Sequence, residues 1–195
     1  MFNQDQFPFT LVLASGSPRR QQFFRDMGLP FELRIREVEE TFSPELFGVE
    51  ITQYLSELKA NAHHDLAENE LLITSDTIVW HQQKALGKPK DRSEAIQMLG
   101  ELSGSTHEVI TSVCLKTAEK TQFIHDITKV RFTELSPSMI AFYVDQFQPL
   151  DKAGAYGIQE WSGFVGIESI EGSYTNVVGL PTQKVYQAIL EMMEE

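Results

Sequence analysis

Residues 11–28 read LVLASGSPRRQQFFRDMG, and within them a buried strand turns directly into a helix. Leu11 to Ser15 is an apolar run that shortens to small residues, the pattern of a strand packed inside a core. Ser17 and Pro18 then supply an N-cap and a first-turn proline for a helix that ends near Gly28. Strand and helix patterns keep alternating beyond this unit, without repeats or low-complexity tracts, so the chain reads as an α/β (α+β) domain.

Working outward, Phe31, Leu33 and Ile35 alternate with Glu32, Arg34 and Arg36, the period-2 signature of a strand, and this one runs into Glu37, Glu39 and Glu40. From Val49 to Asn69, Ile51, Leu55, Leu58 and Ala62 recur at helical spacing, which predicts a long amphipathic helix carrying Lys59, His63 and His64. Leu71 to Trp80 is a β-rich run with Asp76 in its middle, followed by a turn and return over 82–89. Ser93 is expected to cap a helix through Leu102 that Gly104 closes. Strands over 107–116 and 122–133 flank a polar turn as a hairpin. Ser136 and Pro137 open a helix to Phe147, 152–180 reads as a glycine-rich, strand-like segment, and Thr182 to Met193 closes the chain as a helix.

The 195 residues, 42% of them hydrophobic, suffice for a full core in one domain, 1–195, with room for two lobes. No apolar run approaches the roughly 18 residues of a membrane span, and MFNQDQFPFT lacks the basic and apolar regions of a leader, so a cytoplasmic protein is expected, with no membrane partner. Cys114 is the single cysteine, which excludes an internal disulfide and reads as a small buried strand residue. A formal net charge of -12 repels long polyanions and argues against duplex nucleic acid, while a small anion could bind where cations concentrate.

Such a place is the start of the first helix. Ser15, Ser17, Arg19 and Arg20 surround free backbone N–H groups and the positive end of the helix dipole, a ready phosphate site; an ordinary capped helix with two solvated arginines fits the spacing equally well. The segment is not a Walker A loop, which needs bracketing glycines and a Gly-Lys-Ser/Thr ending. Asp76 within Ile73-Thr74-Ser75-Asp76-Thr77-Ile78-Val79 must be paired, hydrogen-bonded or metal-bound if buried. Glu39 and Glu40 could join it around one hard cation. Lys88 sits in a stiff Gly87-Lys88-Pro89 turn and Lys59 on a helix; each taken singly reads more readily as a surface charge, unless the two converge. Gln159 follows a run of small residues, Ala153-Gly154-Ala155-Tyr156-Gly157, and its amide can match the acceptor and donor edge of uracil or thymine, or lie exposed on a turn. His63 and His64 are adjacent and so point apart, as surface residues; His81, His107 and His125 lack zinc-ligand spacing, and no Gly-x-Ser-x-Gly elbow is present.

Taken in order, Leu13-Ala14-Ser15-Gly16-Ser17-Pro18-Arg19-Arg20, Ser75-Asp76-Thr77, Gly87-Lys88-Pro89, Leu102-Ser103-Gly104, Asp151 through Gln159 and Asn176-Val177-Val178-Gly179-Leu180-Pro181 resemble the Maf family across nearly the whole chain. The resemblance implies a fold like that of the inosine triphosphate pyrophosphatases (Maf/Ham1), with a long bent mixed sheet flanked by helices in two lobes about a central cleft. It further implies a house-cleaning nucleoside triphosphate pyrophosphatase of the dTTP/UTP branch. By it Asp76 is the catalytic acid/base and, with Glu40, binds a divalent metal, Mg2+ or Mn2+. Ser15, Arg20, Lys59 and Lys88 hold phosphate, and Arg19, Thr77 and Gln159 set substrate choice. A homodimer is also implied. Two departures stand out: Ser75 where alanine is usual, and Glu160-Trp161 in place of the common glycine after Gln159. Rival readings are a 7-methyl-GTP or purine pyrophosphatase and, from another class, a non-enzymatic nucleotide-binding regulator of septum formation.

Overall fold

The structure is a computed structural model and describes residues 8–194; the first seven residues, where no leader is expected, lie outside the described residues. The described residues form a seven-stranded mixed sheet flanked by helices. In chain order these are β1 (Thr10–Leu13), α1 (Pro18–Asp26), β2 (Glu32–Leu33), α2 (Val49–Asn61), β3 (Glu70–His81), β4 (Lys84–Leu86) and α3 (Arg92–Leu102). Then follow β5 (Thr106–Lys116), β6 (Thr121–Phe132), α4 (Pro137–Phe147), α5 (Trp161–Gly166), β7 (Ile167–Glu171), α6 (Tyr174–Val178) and α7 (Thr182–Glu194). The strand order is β2-β1-β3-β5-β6-β7, with β4 paired to β3.

The chain divides into two compact units. The first comprises the chain up to Asp76, Thr111–Asp126 and the chain from Gly179; the second comprises Thr77–Ile110 and Ile127–Val178. In the first, β1 runs parallel to both β2 and β3, with Leu13 opposite Leu33 and Ile73. Both faces of β1 are covered, which is why Leu11-Val12-Leu13 is a continuous apolar run rather than an alternating one. Leu11 and Leu13 pack with Phe24 of α1 and Val185 and Ile189 of α7, while Val12 packs with Ala60 of α2, Leu72 and Cys114. Burial, and then Glu57, push the Cys114 thiol up to about 12, so it stays an inert thiol.

The second unit joins β3 to β4 through Gln82 and Gln83, both at positive φ, in a tight two-residue turn. Its interior contains an aromatic group: His107, Phe132 and Tyr156 form mutual ring contacts 5.0–5.5 Å between centroids. The His107 ring shares a 2.8 Å hydrogen bond between Nε2 and the Tyr156 hydroxyl.

Several expectations are corrected. The helix expected to Asn69 ends at Asn61, so His63 lies in the turn beyond it and is buried at 3% exposure rather than on the surface; His64 is exposed. The strand expected through Ile35 has only two ladder residues, because Leu33 and Ile35 are half exposed and no sheet partner continues past Leu33. Asp91, not Ser93, caps α3, accepting from the Glu94 N–H at 2.9 Å, while the Ser93 hydroxyl donates to the same carboxylate. The largest difference is 152–180: only β7 in it is strand, and the rest holds a 3-10 turn (Ala153–Ala155), α5 and α6. There small residues serve close approach, since a Cβ on Gly163 would stand 1.9 Å from the Ile158 carbonyl oxygen.

Candidate active site

Three elements of the first unit deliver polar side chains to one place. β1 ends at Leu13, and the turn that follows starts α1 under the Ser17 cap, whose side chain accepts from the Arg20 N–H at 3.5 Å. Ser15, buried at 6% exposure, accepts from the Ser17 N–H at 3.3 Å and from Arg20 Nη1 at 3.4 Å. Arg20 is held from two further directions, donating through Nε to the Gly179 carbonyl at 2.8 Å and through Nη1 to the Ser75 carbonyl at 2.9 Å. Burial lowers its pKa while Asp76 and Glu40 oppose that shift and Arg19 adds to it, so the guanidinium senses all three side chains. It remains a cation regardless.

β3 supplies Asp76 at 6% exposure, and α2 supplies Lys59. The Lys59 ammonium donates to Asp76 Oδ1 at 2.6 Å and lies 3.1 Å from Glu40 Oε1, so one cation is gripped by two carboxylates from distant parts of the sequence. Two buried hydroxyl contacts fix the elements that bring them together. Thr74, two residues before Asp76 on the same strand face, donates to the Ser56 carbonyl of α2 at 2.6 Å, and Thr52 shares a 2.7 Å hydrogen bond with Ser112 of β5.

Glu40 belongs to a stretch without regular structure, and two arginines anchor that stretch upstream. Arg34 makes a two-pronged pair with Glu70 at 2.6 and 2.9 Å. Arg36 donates to the Ala62 carbonyl at 2.8 Å and to both Asp65 oxygens at 2.7 Å. Each pairing holds its acid's pKa down, with the Arg34 hydrogen bond the largest cause for Glu70 and a backbone hydrogen bond ahead of Arg36 for Asp65. Sequence reading assigned no role to Arg34 and Arg36; their alternation with apolar residues was visible, but their partners were not.

The remaining expected residues are divided between the two units. Arg19 is partly exposed on the first turn of α1. Thr77, Lys88 and Gln159 belong to the second unit. Lys88 is exposed on the loop after β4, and that loop is tied to the segment leading to Gln159 by the Gly154 N–H donating to the Gly87 carbonyl at 3.1 Å. Gly154 sits at φ 68, and a Cβ there would come within 2.8 Å of Val79 Cγ2, so glycine is required on both counts. Gln159 is exposed, one residue after the buried Ile158.

The Asp76–Glu40 pair offers hard carboxylate oxygens already converged on a cation, the donor type a Mg2+ or Mn2+ ion takes when phosphate and water complete its shell. The residues present therefore fit such an ion, though no group of three or more His, Cys, Asp or Glu converges among the described residues. The described residues also contain no helix long and apolar enough to cross a membrane.

The chain is similar to known proteins over nearly its whole length. A family model for Maf-like proteins matches residues 10–192. The chain is 58% identical over 186 residues to a dTTP/UTP pyrophosphatase of Flavobacterium johnsoniae, covering 95% of this chain and 96% of the relative. It is 60% identical over 181 residues to that of Flavobacterium psychrophilum, covering 92% and 93%. A dTTP/UTP pyrophosphatase of Bacteroides fragilis is 49% identical over 186 residues, covering 94% and 96%. Among solved structures, the Staphylococcus aureus Ham1 protein matches with a TM-score of 0.51 at 14% identity over 95% of this chain and all of that one. The HAM1 protein of Coxiella burnetii matches with the same TM-score at 16% identity, over 94% and 99%. These two share the fold.

Proposed function

The chain belongs to the Maf family, and from that premise we propose that it is a dTTP/UTP pyrophosphatase, cutting the bond between the α- and β-phosphates to give the nucleoside monophosphate and pyrophosphate. The observation that carries the reading is the Lys59 ammonium held between Asp76 and Glu40 in the same unit as Ser15 and the fixed guanidinium of Arg20. On a molecule of net charge -12, this is where a triphosphate meets cations.

Asp76 orients a water molecule and accepts its proton as the oxygen attacks the α-phosphorus in line, and pyrophosphate departs with the bonding electrons. Arg20, Lys59 and the N-terminus of α1 beside Ser15 meet the charge on the phosphate oxygens with groups already fixed by the fold. Asp76 and Glu40 would hold a divalent cation, which when bound neutralises the triphosphate and makes water a stronger acid. Lys88 serves the phosphates, and Arg19, Thr77 and Gln159 choose the base; these four assignments rest on the family pattern. Residues 1–195 act as one Maf-like domain, a cytoplasmic homodimer.

The test is pyrophosphate release from a panel of dTTP, UTP, CTP, purine triphosphates and 7-methyl-GTP, with Mg2+ or Mn2+ and with chelator. Turnover of dTTP and UTP above the rest, lost on chelation, is the expected result. Preference for a purine or 7-methyl-GTP would move the protein to another branch. Nucleotide binding without metal-dependent turnover would make it a regulator.

A further inference from the structure

Gln159 lies on a short turn, Gly157 to Glu160, whose two ends meet on one side chain. The Gly157 N–H donates to the Tyr143 hydroxyl at 3.0 Å, and that hydroxyl donates to Glu160 Oε2 at 2.5 Å. The Glu160 N–H closes the turn onto the Gly157 carbonyl at 3.0 Å, which also accepts from Ser162 at 3.1 Å. The second Glu160 oxygen lies 3.0 Å from the ammonium of Lys152, which is 9% exposed and also donates to Asp151 at 2.6 Å. Tyr143 itself is 1% exposed, and burial followed by its bond to Glu160 raises its pKa, so it stays a neutral donor.

The outcome is an exposed glutamine on a turn that cannot slide. Its amide reads a base only if oxygen and nitrogen point the right way, and a misplacement of about 1 Å can cost on the order of a hundredfold in rate. We infer that Glu160, through Tyr143 and Lys152, is a positioning residue for base selection: it locks the turn that presents Gln159. The inference rests on the proposed pyrophosphatase reading and deepens it.

The experiment compares kcat/KM for UTP and CTP in the parent protein, Gln159→Ala, Glu160→Gly, Glu160→Gln and Tyr143→Phe, with circular dichroism melts to confirm folding. Glu160→Gly and Tyr143→Phe are expected to lower the UTP-over-CTP ratio about tenfold while kcat for UTP changes less than about threefold. Glu160→Gln, whose amide oxygen still accepts from Tyr143, is expected to recover part of the ratio. If Gln159→Ala levels the ratio but the Glu160 and Tyr143 variants keep it, the inference is overturned and the pyrophosphatase reading stands. Equal losses on both nucleotides, or a Gln159→Ala protein that still discriminates, overturn it as well. A parent protein without metal-dependent turnover removes the function first and the inference with it.

Discussion

Replacing Asp76 by asparagine keeps the side chain's shape and one acceptor for Lys59 but removes the charge and the basicity. Turnover of dTTP is expected to fall by at least about a hundredfold with the melting profile intact, read by pyrophosphate release. Lys59→Ala asks the complementary question. Without the ammonium, Asp76 and Glu40 lose the cation they share and keep the field of Arg20, which destabilises the fold by up to about 3 kcal/mol. A divalent cation replaces the missing charge, so added Mg2+ is expected to raise the variant's melting temperature by more than the parent's. An equal rise in both would detach the carboxylates from metal binding. Asp76 was legible in the sequence because a carboxylate inside ITSDTIV demands a partner; Lys59 is that partner. What holds Arg20 was not legible, because its acceptors are the carbonyls of Ser75 and Gly179, and any residue type carries a carbonyl.

At the level of elements, the segment bearing Glu40 has no ladder or helix to hold it, so its direction depends on the Arg34–Glu70 and Arg36–Asp65 anchors. Arg36→Ala is expected to raise the metal concentration for half-maximal activity several-fold while the KM for dTTP at saturating metal stays within about twofold. A change confined to nucleotide KM would contradict this. Capped, periodic elements were readable: α1 with Ser17 and Pro18, α4 with Ser136 and Pro137, and the β5–β6 hairpin carry their own start and stop signals. The failures share a cause. In 152–180 small residues suggested extended chain, but they are small because backbone and side chains approach closely there, which period and composition do not reveal. Leu33 and Ile35 alternated like a half-buried strand, yet alternation does not say whether a sheet neighbour exists.

Across the whole molecule, the buried aromatic group around His107 couples stability to acidity. Burial, then the nearby His81, lower the His107 pKa from 6.5 to about 3. Between those values the unfolded chain binds a proton that the folded protein refuses, so stability falls as pH drops, by up to about 1.4 kcal/mol per pH unit. His63, whose pKa burial and Arg36 also lower, acts in the same direction. The depressed carboxylates Glu70, Asp65 and Asp145 lose their contribution as pH falls below the ordinary carboxylate values of 3.8 to 4.5, leaving pH 6.5 to 4.5 to the histidines. Denaturant midpoints across that window are expected to decline in the parent and more shallowly in His107→Gln, which keeps a partner for Tyr156. Parallel slopes would assign the acid sensitivity elsewhere. The α/β class was legible because each surface of β1 had to be covered; the course of the division into two units was not, since β3, β5 and β6 each contribute residues to both.

That division falls within β3 between Asp76 and Thr77, two adjacent residues of one strand. The carboxylate proposed to perform hydrolysis therefore closes one block of sequence, and two of the three positions proposed to recognise the base, Thr77 and Gln159, fall in the other, with Arg19 the exception. A lineage can thus rewrite its dietary preference among nucleotides at Thr77 and Gln159 without touching Asp76, Glu40, Lys59 or Arg20; of the residues proposed to meet the phosphates, Lys88 alone shares their block. Descendants built this way would diverge in appetite long before they diverged in reaction.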